Sequence, residues 1–200
     1  MSSKMFKPFV VAIEGNIGSG KTTLLERLKV NNKSNTLYLE EPVDQWTYVG
    51  GHNILEAFYD NPERYGLMLE TLILLTNLER DNIPTDKEFI VQERSIVSSL
   101  LFTPDMNEMD QSLYKRYVDC LKNVPSRVPD LIVYIQTPPE VCLERIAKRG
   151  RKEEAGISLQ RLRVLHDRHE AWLNSGTGKD TVYATPVMIV DDNSKIEKLF

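Results

Sequence analysis

Hydrophobic residues in this chain gather into short, nearly continuous runs that are separated by longer stretches of mixed character. Runs of this kind, rich in β-branched residues, are typical of strands that are buried on both faces, as in a parallel sheet. We therefore predict five parallel strands, at residues 9–13, 36–40, 88–92, 130–136 and 186–190.

The stretches between these runs show helical spacing of apolar residues and recognisable start signals. Asn61 followed by Pro62 is typical of an N-cap with proline at the first helical position, and that helix should end near Asn82. Ser158 is a candidate cap for the last helix. The predicted helices occupy residues 22–29, 62–82, 95–101, 110–122, 139–149 and 158–174. Alternating strands and helices predict an α/β fold, a doubly wound parallel sheet with helices on both faces.

The segment GNIGSGKT joins the first predicted strand to the first predicted helix. It matches the phosphate-loop pattern G-x-x-x-x-G-K-[ST] at Gly15, Gly20, Lys21 and Thr22. Glycines leave backbone N–H groups free to surround a phosphate chain, and the helix N-terminus adds about half a positive charge. Lys21 can then reach the β- and γ-phosphates, and Thr22 can bind Mg²⁺. The predicted phosphate contacts are Gly15, Asn16, Ile17, Gly18, Ser19, Gly20, Lys21, Thr22 and Thr23.

Composition narrows the class of protein. The chain has 200 residues, which predicts a single domain over residues 1–200, and 41% of them are hydrophobic. A net charge of −4 provides no basic field for nucleic acid or an anionic membrane surface. No segment has the pattern of a signal peptide or a membrane span. Two cysteines, Cys120 and Cys142, form no disulfide framework and lack metal-ligand spacing, which indicates the cytoplasm or another reducing intracellular compartment.

Charged residues follow the predicted strands. Glu41 comes after the second strand, and Glu93 and Arg94 come after the third. The helix after the fourth strand ends in a segment rich in Arg and Glu, at residues 144–154. Ligands of doubly wound sheets bind at the carboxyl ends of the strands, so these charges should surround a bound phosphate donor.

Seven segments together resemble the deoxyribonucleoside kinase family, which includes insect multisubstrate deoxynucleoside kinase and the mitochondrial thymidine and deoxyguanosine kinases. They occur in the family's order and cover about residues 9–191; they are IEGNIGSGKTT (13–23), EPVDQW (41–46), NILEAFY (53–59), QERS (92–95), PDLIVYI (129–135), ERIAKRGRKEE (144–154) and LHDRHEAWL (165–173). The resemblance implies a P-loop kinase fold with an arginine-rich lid. It also implies transfer of the γ-phosphoryl group of ATP, with Mg²⁺, to the 5′-hydroxyl of a deoxynucleoside, by a homodimer.

The resemblance assigns roles around the transferred phosphoryl group. Glu41 matches the general base beside the 5′-hydroxyl, and Arg94 matches the arginine near the 5′-oxygen. Glu93 stands where an acidic residue helps Thr22 to hold Mg²⁺. The lid arginines that close over the phosphates correspond to Arg145, Arg149 and Arg151. Such roles suit phosphoryl transfer, which depends on positioning and charge neutralisation.

The resemblance also assigns the nucleoside pocket. Tyr59 and Glu154 match the pair that binds the 3′-hydroxyl, and Tyr59 should also disfavour a 2′-hydroxyl. The remaining pocket residues are the candidate walls Trp46, Phe58 and Phe102, and the polar candidates Asn77 and Ser99 near the base.

Glu70 departs from the family pattern, which has glutamine at the base edge. An ionised glutamate only accepts hydrogen bonds, which suits the adjacent donors of guanine and opposes O4 of thymine. A protonated Glu70 would resemble glutamine, and pairing with Arg94 is a third possibility. The base therefore stays open among thymine, cytosine and guanine.

Two other classes share the phosphate loop. A nucleoside-monophosphate kinase, such as thymidylate kinase, should carry an arginine site for the acceptor's phosphate near strand two, where Glu40, Glu41 and Pro42 stand. A GTPase-type nucleotide switch would need an N-K-x-D-like motif after strand four, where Gln136 is followed by Thr-Pro-Pro. Both patterns favour the deoxynucleoside kinase over its alternatives.

Overall fold

Five strands form one parallel sheet in the computed structural model, which describes residues 7–31, 34–121, 129–174 and 185–191. The strands are β1 (Phe9–Gly15), β2 (Thr36–Leu39), β3 (Phe89–Glu93), β4 (Leu131–Gln136) and β5 (Val187–Asp191). All neighbouring pairs are parallel, and the strand order is β2-β3-β1-β4-β5. The prediction of a five-stranded parallel sheet is confirmed, and each boundary lies within two residues of its predicted place.

Helices connect the strands. They are α1 (Lys21–Asn31), α2 (Asp44–Thr47), α3 (Ile54–Asp60), α4 (Pro62–Asp81), α5 (Glu108–Leu121), α6 (Pro139–Arg149) and α7 (Leu159–Leu173), with two 3₁₀ helices, η1 (Ile96–Asp105) and η2 (Lys152–Gly156). The predicted caps are confirmed, since the side chains of Asn61 and Ser158 accept hydrogen bonds from the first turns of α4 and α7. None of the helices within the described ranges is long and apolar enough to cross a membrane.

Three short helices were not predicted, and one has another geometry. α2, α3 and η2 are too short to show a hydrophobic period. The segment predicted as a helix at 95–101 is the longer 3₁₀ helix η1. Hydroxyls explain its geometry: Ser98 donates to the Ser95 carbonyl over 2.8 Å, and Ser99 donates to the Ile96 carbonyl over 2.6 Å. Such bonds compete with the backbone pattern of an α-helix.

The two faces of β4 show how helices cover the sheet. Val133 and Ile135 pack in a cluster with the leucines of α1, whereas Ile132 and Tyr134 pack with Trp172 at the end of α7. This alternation follows from the two-residue period of a strand. Because both faces are covered, the carboxyl ends of the strands remain as the accessible edge, and Gly15, Glu41 and Glu93 all lie there.

Candidate active site

The phosphate loop is held in a conformation that requires glycine. Gly15 and Gly18 have φ angles of +149° and +76°. A Cβ at Gly18 would lie 2.7 Å from the Cys142 carbonyl oxygen of α6, and one at Gly15 would lie 2.9 Å from the Ile135 carbonyl oxygen. At these two positions the loop packs against β4 and α6 with no room for a side chain, as a phosphate cradle requires.

Lys21 begins α1 and is buried beneath the loop. Its Nζ donates to the carbonyls of Gly15 (3.2 Å) and Asn16 (2.9 Å). Burial, and next the positive charge of Arg94, lower the pKa of Lys21 to about 8. A phosphate chain would reverse this effect by supplying negative charge, so Lys21 is poised to bind one.

Arg94 joins the loop to Glu41. Its Nε donates to Glu41 Oε1 over 2.7 Å, and its Nη1 donates to the Gly15 carbonyl over 3.1 Å. The guanidinium also lies 4.6 Å from the centre of the Phe102 ring. The predicted base and the predicted arginine are thus an ion pair at the mouth of the phosphate loop, with side chains that are 17% and 8% exposed.

The two carboxylates at this edge differ in their electrostatics. Burial alone would raise the pKa of Glu41, but Arg94, Lys21 and Arg80 hold that pKa below its ordinary value. Burial, and next the negative charge of Glu41, raise the pKa of Glu93. Glu41 is therefore an ionised acceptor at neutral pH, whereas a cation would stabilise Glu93.

Thr22 and Glu93 fit a magnesium ion. Both line a polar recess together with Glu41 and Asp44. Glu93 Oε1 is buried and accepts no hydrogen bond from the described part of the chain. Mg²⁺ prefers oxygen ligands and is commonly held by one or two protein groups plus phosphate and water. The described ranges contain no cluster of three or more His, Cys, Asp or Glu side chains that could hold a metal by itself.

A cavity extends from the phosphate loop into the space between α3, α4, η1 and α7. All the residues predicted to bind the nucleoside line it: Glu41, Trp46, Phe58, Tyr59, Glu70, Asn77, Arg94, Ser99, Phe102 and Glu154. Lys21 and Arg151 line the same cavity at the end that meets the loop. The structure therefore brings the predicted pocket together as one site.

One end of the cavity carries charges beside Tyr59. Glu154 is buried and pairs with Arg149 and with Arg151, the latter over 2.8 Å. The Arg161 guanidinium lies 4.7 Å from the Phe58 ring centre and 5.6 Å from that of Tyr59. Sequence reasoning missed Arg161, because its only signal is a position three residues after the cap of α7.

Another wall of the cavity is formed by one face of α4. Glu70, Ile73 and Asn77 line the cavity with helical spacing, and Glu70 and Asn77 are only 3% and 1% exposed. Asn77 Oδ1 accepts no hydrogen bond from the described residues. Arg94, which is the possible partner of Glu70 named in the sequence analysis, contacts Glu41, Gly15 and Phe102. Further cavity residues that the sequence did not reveal are Val43, Leu55, Leu69 and Ser98.

The predicted lid arginines lie near the loop but have different partners. Arg145 donates to the Ser19 carbonyl over 3.1 Å and lines a recess with Gly20 and Thr23, whereas Arg149 and Arg151 bind Glu154. That the segment from Arg145 to Arg151 closes over the phosphates stays a prediction.

A phosphate loop that opens onto a cavity lined by polar and aromatic side chains is typical of a small-molecule kinase of the P-loop class. A model of the family described as deoxynucleoside kinase matches residues 11–199. Mitochondrial thymidine kinase 2 of Homo sapiens is 38% identical over 201 residues, 96% of this chain and 74% of that protein. Human deoxycytidine kinase is 31% identical over 92% of this chain and 83% of that protein. Thymidine kinase of Ictalurid herpesvirus 1 is 34% identical over 88% and 79%. The chain belongs to the deoxynucleoside kinase family and is a nucleoside kinase.

Proposed function

We propose that this enzyme transfers the γ-phosphoryl group of ATP to the 5′-hydroxyl of a deoxynucleoside for nucleotide salvage, with Glu41 as the general base. The observation that carries the proposal is the Arg94–Glu41 pair, which stands where the nucleoside cavity meets the phosphate loop. A carboxylate kept ionised beside the acceptor hydroxyl suits proton removal during phosphoryl transfer.

The reaction needs one proton transfer and one displacement. The 5′-hydroxyl gives its proton to Glu41 as its oxygen bonds to the γ-phosphorus, and the bond to the β–γ bridging oxygen breaks, so ADP leaves with the electron pair. Lys21 and Arg94 place positive charge around the phosphoryl oxygens. Mg²⁺, held at Thr22 and Glu93, would supply further charge neutralisation. Arg145, Arg149 and Arg151 close the phosphate side in this proposal.

The sugar is bound at the end of the cavity that holds Tyr59 and Glu154. In this proposal the Tyr59 hydroxyl and the Glu154 carboxylate bind the 3′-hydroxyl, and burial is the main reason why the pKa of Tyr59 is raised. Tyr59 therefore keeps its proton and remains a donor. Its ring, beside Phe58, would crowd a 2′-hydroxyl, which favours deoxynucleosides over ribonucleosides.

Glu70 decides the base in this proposal. As an ionised acceptor near Asn77 and Ser99 it favours guanine, whose N1–H and N2–H are adjacent donors. As a protonated acid it would present one donor and one acceptor, which suits thymine or cytosine. Trp46 and Phe102 would form the walls on either side of the base.

The assembly proposed is a homodimer in a reducing compartment. Exposed apolar side chains form stripes on the adjacent helices α4 and α5, namely Met68 and Leu75, and Met109, Leu113 and Tyr117. A second copy of the chain could cover both stripes. The two cysteines, Cys120 and Cys142, form no disulfide, in keeping with a reducing environment.

The decisive experiment is a substrate panel with purified protein and ATP-Mg²⁺. We expect 5′-monophosphate from at least one of the four deoxynucleosides, at a kcat/KM well above that for the matching ribonucleoside. Thymidylate and deoxyguanylate are included as acceptors. Turnover of the monophosphates without turnover of the nucleosides would overturn the proposal in favour of a nucleoside-monophosphate kinase. Light scattering of the same sample measures the oligomeric state.

A further inference from the structure

Arg80 is a buried cation that stands behind the active site. It lies near the end of α4, is 7% exposed, and lies outside the set of residues that line the nucleoside cavity. Its Nη1 donates to the carbonyl of Glu93 over 2.7 Å, and its Nη2 donates to the carbonyl of Arg94 over 3.3 Å. One guanidinium therefore holds two consecutive carbonyls, those of the residues assigned to the metal and to the reacting hydroxyl.

The backbone at these carbonyls needs such support. Arg94 has a φ angle of +57°, and within the described ranges it is the one non-glycine residue with a positive φ. Residues with a Cβ adopt this conformation at an energetic cost. The turn directs the Arg94 side chain back to Glu41 and Gly15. Gln92 Nε2 also donates to the Arg94 carbonyl, over 3.0 Å.

Asp81 sets the orientation of the guanidinium. Its Oδ1 accepts from both Nε and Nη2 of Arg80 at 3.1 Å, and the two side chains are 2% and 6% exposed. The planar fork of arginine can bind the carboxylate and both carbonyls at once, whereas the single ammonium of lysine lacks that geometry. The arrangement therefore depends on the shape of the side chain as well as on its charge.

We infer that Arg80 is a positioning residue for phosphoryl transfer, which holds the turn at Glu93 and Arg94 and thereby the groups that face Mg²⁺ and the 5′-hydroxyl. The inference rests on the roles proposed above for Glu41, Glu93 and Arg94. Small displacements of such groups reduce the rate strongly, because the reaction depends on alignment. Most of the residues proposed to bind the nucleoside lie on other walls of the cavity, so nucleoside binding should depend on this turn much less than the rate does.

Arg80→Lys tests the inference, since it keeps the charge and removes the fork. We expect kcat to fall at least about tenfold, while the Kd of the deoxynucleoside, measured by calorimetry, changes by less than about threefold. Hydrogen exchange in a peptide that covers residues 92–95 should become at least about tenfold faster, which reports on the turn without any assay of activity.

Arg168→Lys is the matched control. The Arg168 guanidinium also donates to two backbone carbonyls, those of Leu100 (3.3 Å) and Leu101 (3.1 Å), but these belong to η1. In this control, exchange at residues 92–95 should keep the wild-type rate. The inference is overturned if Arg80→Lys retains wild-type kcat, or if Arg168→Lys accelerates exchange at residues 92–95 to the same extent.

Two further results separate the possible failures. If Arg80→Lys does not fold, as judged by its thermal unfolding, Arg80→Gln carries the same test, because an amide keeps one donor for the carbonyls. If the wild-type protein phosphorylates no nucleoside, the proposed function fails. If the wild type is active and the Arg80 variants match it, only the role of Arg80 fails.

Discussion

The two ends of the cavity are built in different ways. The phosphate end contains Lys21, which begins α1, and Glu41 and Arg94, which follow β2 and β3. Arg94 binds Glu41, and both Arg94 and Lys21 bind the Gly15 carbonyl, over distances of 2.7–3.2 Å. At the base end, Glu70 and Asn77 project from the middle of α4, and Asn77 Oδ1 has no donor within the described residues.

We interpret the phosphate end as the part that carries out the reaction and the base end as the part that selects the nucleoside. The groups that we propose to act on the phosphoryl chain are held by hydrogen bonds at the sheet edge before any ligand arrives, which favours alignment in the transition state. A buried acceptor at the base end gains a partner only when a suitable base binds, so a wrong base would leave a polar atom unsatisfied. We therefore expect substitutions at the phosphate end to lower kcat, and substitutions at the base end to change which nucleoside is used.

Lys21→Met should cause the largest loss. The variant keeps most of the buried stem and removes the charge needed at the β- and γ-phosphates, so kcat should fall by at least about 10³-fold. Thermal unfolding should stay close to that of the wild type even though Lys21 is buried, because methionine fills most of the same space. Lys29→Met, on the exposed face of the same helix, is the control. A near-normal kcat in folded Lys21→Met would show that this loop does not bind the phosphates of ATP.

Glu41→Gln should lower kcat by about 10²–10⁴-fold, the usual contribution of a general base. The amide keeps the shape and a hydrogen bond to Arg94, so nucleoside Kd should change little. Rapid-quench kinetics measures the chemical step directly. Glu40→Gln is the matched control, because Glu40 is the exposed neighbour and pairs only loosely with Lys29 at 3.4 Å. A chemical step slowed by less than about threefold would show that another group takes the proton.

Glu70→Gln should alter base preference rather than overall rate. Loss of a charge-assisted contact to guanine, worth about 1.5–3 kcal/mol, should shift the ratio of deoxyguanosine to thymidine kcat/KM by at least about tenfold. Glu63→Gln, exposed on the same helix, should leave the ratio unchanged. If the wild type prefers thymidine, Glu70 is either protonated or turned toward Arg94, and thymidine kcat/KM should fall as pH rises when Glu70 is the protonated group. An unchanged ratio without that pH dependence would place the base edge elsewhere.

Tyr59→Phe should have the smallest effect. It removes the hydroxyl proposed to bind the 3′-hydroxyl and keeps the ring, so kcat/KM for the preferred deoxynucleoside should fall about threefold to tenfold. The preference for that substrate over its 2′,3′-dideoxy analogue should shrink equally, while discrimination against the ribonucleoside should persist. Tyr48→Phe is the control, because Tyr48 is 76% exposed. A dideoxy preference equal to that of the wild type would exclude the hydroxyl from sugar binding.

Sequence patterns predicted the sheet well and the helices between the strands less completely. Each strand contains a continuous apolar run between polar residues, and this pattern can be recognised without knowing which helices pack on the strand. α2, α3 and η2 were missed because a helix of one or two turns has no measurable period. The geometry of η1 was missed as well, since Ser98 and Ser99 bond to nearby carbonyls only once the segment is packed.

The residues of the candidate site likewise differ in whether a local sequence pattern predicted them. The loop glycines, Lys21 and Thr22 were evident from a contiguous motif, because their spacing is what a phosphate chain requires. The pocket residues followed from resemblance to a family, and the structure places them around one cavity. Arg80 had no sequence signal, and the only signal of Arg161 was its position after the cap of α7, since the contacts of both side chains are set by the packing of other elements.

The sequence by itself determined the elements whose cause is local: buried strands, helix caps, and a glycine loop that opens a helix onto phosphate. Only the tertiary structure decided how distant charges are paired, because a side chain's electrostatic state depends on its neighbours in space. Arg94 pairs with Glu41, and Arg80 binds the carbonyls of Glu93 and Arg94 in the turn that carries the Arg94 side chain. The Arg94–Glu41 pair, whose residues lie 53 positions apart, requires the strand order β2-β3-β1-β4-β5, because that order places the carboxyl ends of β2 and β3 side by side.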